Sequence, residues 1–214
     1  CDLKKIQFLS TPFDTKSLHL LAQTLDIPII KIPSGEITNA PLLLEAASTE
    51  KPLIVSTGMC TMEEVETALG VLAFGYAKSG DKPPGLKNFQ TAFESIEGKN
   101  ALKKNVVLLH CTTAYPTPYE EVNLKVLDTM ATTFGLPVGY SDHTMGISVP
   151  VAAVARGAVV IEKHFTMDKS LPGPDHQASL DPDELKTMVI SIRQIEKALG
   201  QPKKFPVPSE IENR

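Results

Sequence analysis

Short apolar runs alternate along this chain with longer segments in which apolar residues recur every three or four positions. A segment of helical periodicity follows each run. Alternation of this kind predicts an α/β fold with a parallel sheet. Six runs have the length and composition of strands, and they cover residues 6–10, 29–33, 53–57, 106–111, 138–141 and 159–165.

Capping residues mark where several of the helical segments should begin. Asp14 and Asn123 each stand ahead of an apolar stripe. Thr61 opens a capping-box sequence, and Asp181 precedes a proline and an acidic first turn. The stripe of the last helix is interpreted as core, and it consists of Leu185, Met188, Val189, Ile192, Ile195 and Leu199.

Two segments depart from this rhythm. Residues 77–104 are polar and contain Gly and Pro, although apolar residues between positions 86 and 96 keep helical spacing. They predict a helical insertion at the edge of the sheet, to which we assign no chemistry. Residues 201–214 carry three prolines and no periodicity, which indicates a linker or a frayed tail.

Composition narrows the function classes. The 214 residues are 42% apolar, enough to bury the core of one domain or most of one. Lys and Arg number 21 against 25 Asp and Glu, so the net charge of −4 offers no basic surplus for nucleic acid. We find no apolar run of membrane-spanning length, no signal-peptide pattern and no metal-type cysteine spacing, and therefore expect a cytoplasmic protein.

Polar side chains collect where the predicted strands end, which is the edge where α/β sheets and barrels bind ligands. Hydroxyls, amides beside glycine and one lysine would suit a phosphate. Any single Ser or Thr is better explained as a strand-ending or capping residue, so the prediction depends on their recurrence. The residues are Thr11, Lys31, Ser34, Glu36, Ser56, Thr113, Ser141 and Glu162.

The role of Lys31 stays open among three interpretations. It could be a surface lysine, a phosphate contact or a Schiff-base amine. The phosphate contact fits the neighbouring hydroxyls better than the Schiff base does, because no nearby feature of the sequence lowers the proton affinity of the amine.

Two of the strand-like runs end in a histidine. Side chains at i and i+2 of a strand share a face, so Ser141 pairs with His143 and Glu162 with His164. Two neighbouring strands would then aim two imidazoles, a hydroxyl and a carboxylate into one pocket, a set that suits a divalent metal. Ordinary half-buried strand histidines are an equally good interpretation of this pattern.

Proline-containing loops place two further polar residues over the strand ends. Tyr115 lies in a stiff loop after the fourth run, and Asp175 lies on a turn after the last run. A turn-stabilising role is the alternative for Asp175.

As a set, these motifs resemble those of the sialic acid synthase family, which makes N-acetylneuraminate and related nonulosonates such as legionaminate and pseudaminate. The resemblance runs from about residue 6 to residue 199, in the family's motif order. The motifs are Lys31-Ile-Pro-Ser34-Gly-Glu36, Ser56-Thr-Gly-Met59, His110-Cys-Thr-Thr-Ala-Tyr115-Pro, Gly139-Tyr-Ser141-Asp-His143-Thr, Glu162-Lys-His164-Phe-Thr and Pro172-Gly-Pro-Asp175-His.

The resemblance implies a (β/α)8 TIM barrel that condenses phosphoenolpyruvate with an open-chain N-acetylated hexosamine such as N-acetylmannosamine. It implies a divalent metal, Mn²⁺ or Mg²⁺, on the residues that match the family's two histidines, His143 and His164. The metal would polarise the sugar aldehyde for attack by the enol carbon, after which water adds and phosphate leaves. The family also suggests a homodimer.

The resemblance also implies roles for the remaining residues. Tyr115, Glu162 and Asp175 would contact the sugar or move protons on it, with Glu162 the candidate acid or base near the metal. Glu36 and Thr113 are counted among the substrate-binding residues. The expected contacts of the phosphate and carboxylate of phosphoenolpyruvate are Thr11, Lys31, Ser34, Ser56 and Ser141.

The chain departs from the family pattern in two respects. Thr113 stands where some members have asparagine, which alters the expected sugar contact. The family's first two strands and its C-terminal antifreeze-like domain have no counterpart here. We therefore expect residues 1–200 to be an incomplete barrel of about six βα units, and residues 201–214 to be a linker.

Little synthase activity is expected of such a segment alone. Two alternatives are a catalytically incomplete barrel that only binds phosphate, metal or a partner, and another phosphoenolpyruvate-condensing barrel acting on a sugar phosphate. The second should carry a further basic cluster, and none is evident in the sequence.

Overall fold

The computed structural model describes residues 1–78 and 82–214, and its centre is one parallel sheet. Neighbouring strands follow chain order, and every pair is parallel. This confirms the α/β class and the parallel sheet. The strands are β1 (Ile30–Ile32), β2 (Leu53–Ser56), β3 (Val106–Cys111), β4 (Val138–Asp142) and β5 (Ile161–Lys163).

Helices connect the strands, as parallel pairing requires. The segment 77–104 forms two of them, so the predicted helices are confirmed except at residues 79–81, which lie outside the described ranges. The predicted position at the edge of the sheet was wrong, because this segment connects β2 to β3, which are neighbours inside the sheet. The helices are α1 (Thr15–His19, continued by a π-turn over Leu20–Thr24), α2 (Ala40–Ser48), α3 (Met62–Tyr76), α4 (Leu86–Glu94), α5 (Ile96–Asn105), α6 (Val126–Phe134), α7 (Ser148–Ala155) and α8 (Pro182–Leu199).

Most of the predicted caps are confirmed. Asp14 accepts a hydrogen bond from the backbone of Ser17, and complete capping boxes start at Thr61 and Asp181. The prediction for Asn123 was wrong. Its backbone is left-handed (φ 50°), a conformation that an N-cap does not adopt, and α6 begins only at Val126.

The predicted strand at residues 6–10 is not formed. Among the described residues, no strand ladder pairs this segment with β1. The side chains of Ile6 and Phe8 are 65% and 50% exposed. A β-strand is stabilised by backbone hydrogen bonds to a neighbouring strand, so an apolar segment without such a neighbour does not form one.

The core lies between the sheet and the helices, and it thins toward β5 and α8. β2, β3 and β4 are mostly buried, whereas all three residues of β5 are half-buried. In α8 only Met188 is buried, so the core interpretation of that stripe was wrong for most of its members. The helix packs on α7, and much of its apolar face, including Val189 and Leu199, stays exposed.

The insertion and the tail differ in how well they are packed. Phe89 of α4 is buried against α3 and meets Phe74 edge to face, with ring centres 5.3 Å apart. Residues 201–214 are exposed throughout. Within the described ranges, no helix combines the length and the apolar character needed to cross a bilayer.

Candidate active site

A pocket opens at the carboxyl ends of the strands, where parallel α/β sheets bind ligands. It brings together nine of the twelve residues that the sequence predicted. They are Lys31, Ser34, Ser56, Thr113, Tyr115, Ser141, His143, Glu162 and His164.

Lys31 supplies the positive charge of the pocket. Its side chain is 11% exposed, which excludes the surface-lysine interpretation. The ammonium donates to Ser56 Oγ at 2.8 Å and lies 3.5 Å from Glu162 Oε2. A buried cation beside a hydroxyl is well placed to meet an anionic ligand.

Ser34 lines the pocket near Lys31, and Gly58 lies behind it. Ser34 Oγ accepts from the backbone N–H of Gly58 at 2.9 Å and lies 3.3 Å from Cys111 Sγ. A Cβ on Gly58 would lie 2.8 Å from Thr113 Cγ2 and 2.9 Å from Ser34 Oγ. No other residue fits at position 58 without displacing these neighbours.

Ser141 and Glu162 lie between the side of the pocket that carries Lys31 and the side that carries the two histidines. They face each other in the ladder between β4 and β5, and Ser141 Oγ donates to Glu162 Oε1 at 2.6 Å. The second carboxylate oxygen faces Lys31. Glu162 therefore has one oxygen on a hydroxyl and the other toward an ammonium, and its side chain remains partly open to the pocket.

The two histidines lie side by side, as the sequence predicted. His143 Nδ1 lies 2.6 Å from the carbonyl oxygen of Thr112, and a carbonyl can only accept, so Nδ1 carries the proton and Nε2 keeps its lone pair. Burial lowers the pKa of His143, and the neighbouring His164 lowers it further, so the neutral ring is favoured.

The spacing of the two rings is compatible with one shared divalent ion. The ring centres are 5.4 Å apart, below the roughly 6.5 Å that two imidazoles can span across one ion with metal–nitrogen bonds of about 2.1 Å. Within the described ranges no three His, Cys, Asp or Glu residues are grouped to enclose a metal. An ion held here would therefore keep open positions for substrate or water.

Tyr115 and Asp175 border the histidines. The Tyr115 ring centre lies 4.2 Å from that of His143 and 5.4 Å from that of His164. Burial raises the pKa of Tyr115, so its hydroxyl keeps its proton as a donor. Asp175 does not line the pocket, but its Oδ2 lies 3.8 Å from His164 Nδ1.

The other two predicted residues, Thr11 and Glu36, lie outside the pocket lining. Glu36 accepts from Asn39 Nδ2 at 2.7 Å, and Asn39 caps α2. Thr11 is half-buried ahead of α1. Their substrate-binding roles stay predictions.

Sequence reasoning missed an ion pair beside the histidines. Asp142 and Lys163 stand immediately before His143 and His164, and their charged groups lie 2.7 Å apart with 0% and 3% of the side chains exposed. The alternation of strand residues could have revealed it, because two opposite charges fall on the same face of neighbouring strands, opposite to the pocket.

The molecule is a parallel α/β protein whose pocket at the strand ends is lined by a lysine, hydroxyl groups, a glutamate and two histidines. Comparison with known proteins makes this specific. The model of the NeuB family matches residues 1–204. The chain belongs to this family, which confirms the resemblance seen in the sequence.

Two relatives indicate how close the match is. The N,N'-diacetyllegionaminic acid synthase of Legionella pneumophila is 50% identical over 206 residues, which cover 96% of this chain and 51% of that protein. The human N-acetylneuraminate-9-phosphate synthase is 36% identical over 207 residues, covering 96% and 50%. The chain thus spans about half the length of the curated relatives it matches.

Solved structures agree on the fold. The N-acetylneuraminic acid synthetase of Leptospira borgpetersenii, in complex with citrate, superposes with a TM-score of 0.80 at 35% identity, covering 99% of this chain and 65% of that one. A truncated 3-deoxy-D-arabino-heptulosonate 7-phosphate synthase of Thermotoga maritima gives 0.67 at 20% identity, covering 93% and 69%, which is a likeness of fold alone.

Proposed function

We propose that this chain forms the substrate pocket of a nonulosonate synthase, which condenses phosphoenolpyruvate with an open-chain N-acetylated hexosamine and releases phosphate. One observation carries the proposal: a buried lysine, a Ser–Glu pair and two adjacent imidazoles converge in one pocket of a NeuB-family chain.

Phosphoenolpyruvate fits the half of the pocket formed by β1, β2 and β3. Lys31 Nζ and Ser56 Oγ already lie 2.8 Å apart, so both can contact one phosphate or carboxylate oxygen. Ser34 lies on the adjoining wall with Gly58 behind it. An anion here would replace the 3.5 Å contact between Lys31 and Glu162.

The sugar fits the half formed by β4 and β5. A divalent ion on His143 and His164 would supply Lewis acidity at the aldehyde oxygen of the sugar. Tyr115 borders both rings and can donate a hydrogen bond to that sugar, while Asp175 orients His164. These assignments are supported by the contacts of Tyr115 with both histidine rings and of Asp175 with His164.

Glu162 is the proposed acid or base. The new carbon–carbon bond joins the methylene carbon of phosphoenolpyruvate to the aldehyde carbon, and water then adds to the former enol carbon before phosphate leaves. Glu162 faces Lys31 on the phosphoenolpyruvate side and lies on β5, two positions before His164 on the sugar side. It therefore lies between the two proposed substrates and can take the proton of that water.

We propose an unphosphorylated acceptor that carries two acetamido groups. Among the described residues that line the pocket, Lys31 is the only Lys or Arg, and phosphoenolpyruvate already needs it. A phosphorylated sugar would require further cationic groups. The higher identity to the N,N'-diacetyllegionaminic acid synthase than to the N-acetylneuraminate-9-phosphate synthase supports the same choice.

We also propose that strands outside this chain close the sheet into a TIM barrel. The described sheet is open, the side chains of Ile6 and Phe8 are exposed, and β5 and α8 are only partly covered. The division into a barrel domain over residues 1–200 and a linker over 201–214 stays a prediction. The homodimer, the cytoplasmic location and the identity of the metal do so too.

The test is condensation by the protein, expressed with whatever sequence its gene places on either side of this chain. Phosphate release and mass spectrometry would identify the product formed from phosphoenolpyruvate and a panel of N-acetylated hexoses, with and without chelator. We expect His143→Ala and His164→Ala to abolish turnover. His19→Ala, at a surface histidine paired with Glu45, is the matched control and should retain it.

Two results would contradict the proposal. One is the absence of any condensation product across the whole panel of sugars. The other is full, chelator-insensitive turnover by both pocket histidine variants, which would remove the metal from the reaction.

A further inference from the structure

The two candidate metal ligands lie just beyond the ladder that joins their strands. The last facing residues of β4 and β5 are Asp142 and Lys163, and the histidines follow directly. β5 has three residues and lies at the edge of the described sheet. Backbone pairing alone therefore fixes the separation of the two imidazoles poorly.

Each histidine is anchored separately through its own carbonyl oxygen. The carbonyl of His143 accepts from the backbone of Thr117 at 2.9 Å, and that of His164 accepts from Leu180 at 2.9 Å. Thr117 and Leu180 belong to different loops. These bonds hold each histidine to its own loop and leave their mutual distance unset.

The residues immediately before the histidines supply the missing link. Lys163 Nζ donates to Asp142 Oδ2 at 2.7 Å and to the carbonyl oxygen of Thr144. Asp142 Oδ1 accepts from the backbone N–H of Thr144 at 3.0 Å and from its hydroxyl at 2.9 Å. The residues on both sides of His143 are thus tied to the residue before His164.

This link lies outside the pocket. Side chains alternate along a strand, so Asp142 and Lys163 point to the opposite face from Ser141 and Glu162. Neither residue of the ion pair lines the pocket, and both side chains are almost fully buried.

A buried ion pair is a weak device for stability, because an apolar pair of similar volume is often as stable or more so. What such a pair contributes is the relative position of its two residues, since a charged hydrogen bond fixes both distance and direction. We propose that Asp142 and Lys163 are positioning residues that set His143 and His164 at the spacing one shared divalent ion requires. The inference rests on the proposed function for the presence of that ion.

A double-mutant cycle separates positioning from stability. The variants are Lys163→Met, Asp142→Asn and the double variant, in which the asparagine oxygen can still accept from Thr144. Two quantities are measured on each: the Tm, and the Kd for Mn²⁺ by titration calorimetry. Tyr76→Phe is the matched control, because it removes a buried hydrogen bond to Lys51 at the opposite end of the strands.

Lys163→Met should lower the Tm, because it leaves the Asp142 carboxylate buried without its partner. The double variant should recover most of that loss, yet its Kd for Mn²⁺ should remain at least tenfold above that of the wild type. Tyr76→Phe should lower the Tm and leave the Kd unchanged. A double variant that recovers the wild-type Kd together with the Tm overturns the inference.

A milder variant covers the case in which the double variant does not fold. Thr144→Val removes the hydroxyl that donates to Asp142 and keeps both charges, so the Kd for Mn²⁺ should rise two- to fivefold. An unchanged Kd in this variant would also overturn the inference.

Failure of the proposed function can be distinguished from failure of the inference. If the wild type binds no Mn²⁺, the metal part of the proposed function fails, and the positioning role is decided by nuclear Overhauser effects between the two imidazoles. These should be present in the wild type, where the ring centres are 5.4 Å apart, and lost in the double and Thr144→Val variants. Their retention in both variants overturns the inference.

Discussion

The two halves of the pocket are held in place by different means. Around β1, β2 and β3, polar groups have close neutral partners, such as Ser56 for Lys31 and the Gly58 amide for Ser34, while the Glu162 carboxylate is 3.5 Å from Lys31. Around β4 and β5, the site depends on a buried ion pair and an edge strand of three half-buried residues.

The two outer strands of the described sheet, β1 and β5, each have three residues and one ladder, but they differ in burial. In β1 the core covers Ile30 and Ile32 on either side of Lys31, and burial of one face specifies the register of a strand. No residue of β5 is fully buried, so side-chain links must supply there the constraint that the core supplies in β1. We expect the two halves to respond separately to mutation.

The largest effect should come from Lys31→Met. It removes the cation that we assign to phosphoenolpyruvate, and a hydrogen bond to a charged group contributes about 1.5–3 kcal/mol. The Kd for phosphoenolpyruvate should therefore rise by about 10- to 150-fold in titration calorimetry, while Mn²⁺ affinity stays unchanged. Lys51→Met, which removes a lysine paired with Asp26, is the control. If Lys31→Met weakens phosphoenolpyruvate binding and Mn²⁺ binding equally, the two halves of the pocket are not independent.

A smaller effect is expected from Gly58→Ala. The new Cβ would lie within 3.0 Å of Thr113, Ser34 and Cys111, and overpacking of this kind costs about 1–3 kcal/mol. Phosphoenolpyruvate binding should weaken by about tenfold, with Mn²⁺ binding unaffected. Gly85→Ala, where no atom lies within 4 Å of the added Cβ, should bind both normally. Wild-type binding by Gly58→Ala would contradict the assigned close approach.

A change in selectivity is expected from Thr113→Asn. Thr113 lies at the wall of the pocket, and asparagine adds an amide that can hydrogen-bond a sugar substituent. The ratio of kcat/KM between two N-acetylated hexoses should shift by about threefold to tenfold, in keeping with roughly 0.5–1.5 kcal/mol for one hydrogen bond. The KM for phosphoenolpyruvate should stay constant. An unchanged ratio would place the sugar elsewhere.

The smallest effect that we expect is a loss of stability at low pH, caused by His110 of β3. Burial lowers the pKa of His110, whose Nε2 donates to the Val122 carbonyl at 2.8 Å. The unfolded chain then binds more protons, so the free energy of unfolding should fall as the pH drops below about 6.5. Chemical denaturation at pH 7.5 and 5.5 should show this loss, and His110→Gln should reduce it. If the free energy of unfolding falls equally in the wild type and in His110→Gln, other groups cause the loss.

Much of the fold was predictable because its signals are local. Apolar runs identified five strands within a residue or two, and Thr61 and Asp181 identified helix starts, since a capping box is complete within four residues. The strand at 6–10 and the core stripe of α8 were wrong because both depend on partners that a local pattern does not specify. The prediction for Asn123 was wrong because its backbone is left-handed, which the residue type alone does not specify.

The candidate site shows the same division. The chemical groups at the strand ends were predictable from the sequence, because alternation and strand boundaries decide which residues face a ligand. The folded chain was needed to see that Lys31 contacts Ser56, that a side chain at Gly58 would displace its neighbours, and that Asp142 pairs with Lys163. These contacts join residues 21 or more positions apart, and their distances follow from how the strands pack rather than from any local spacing.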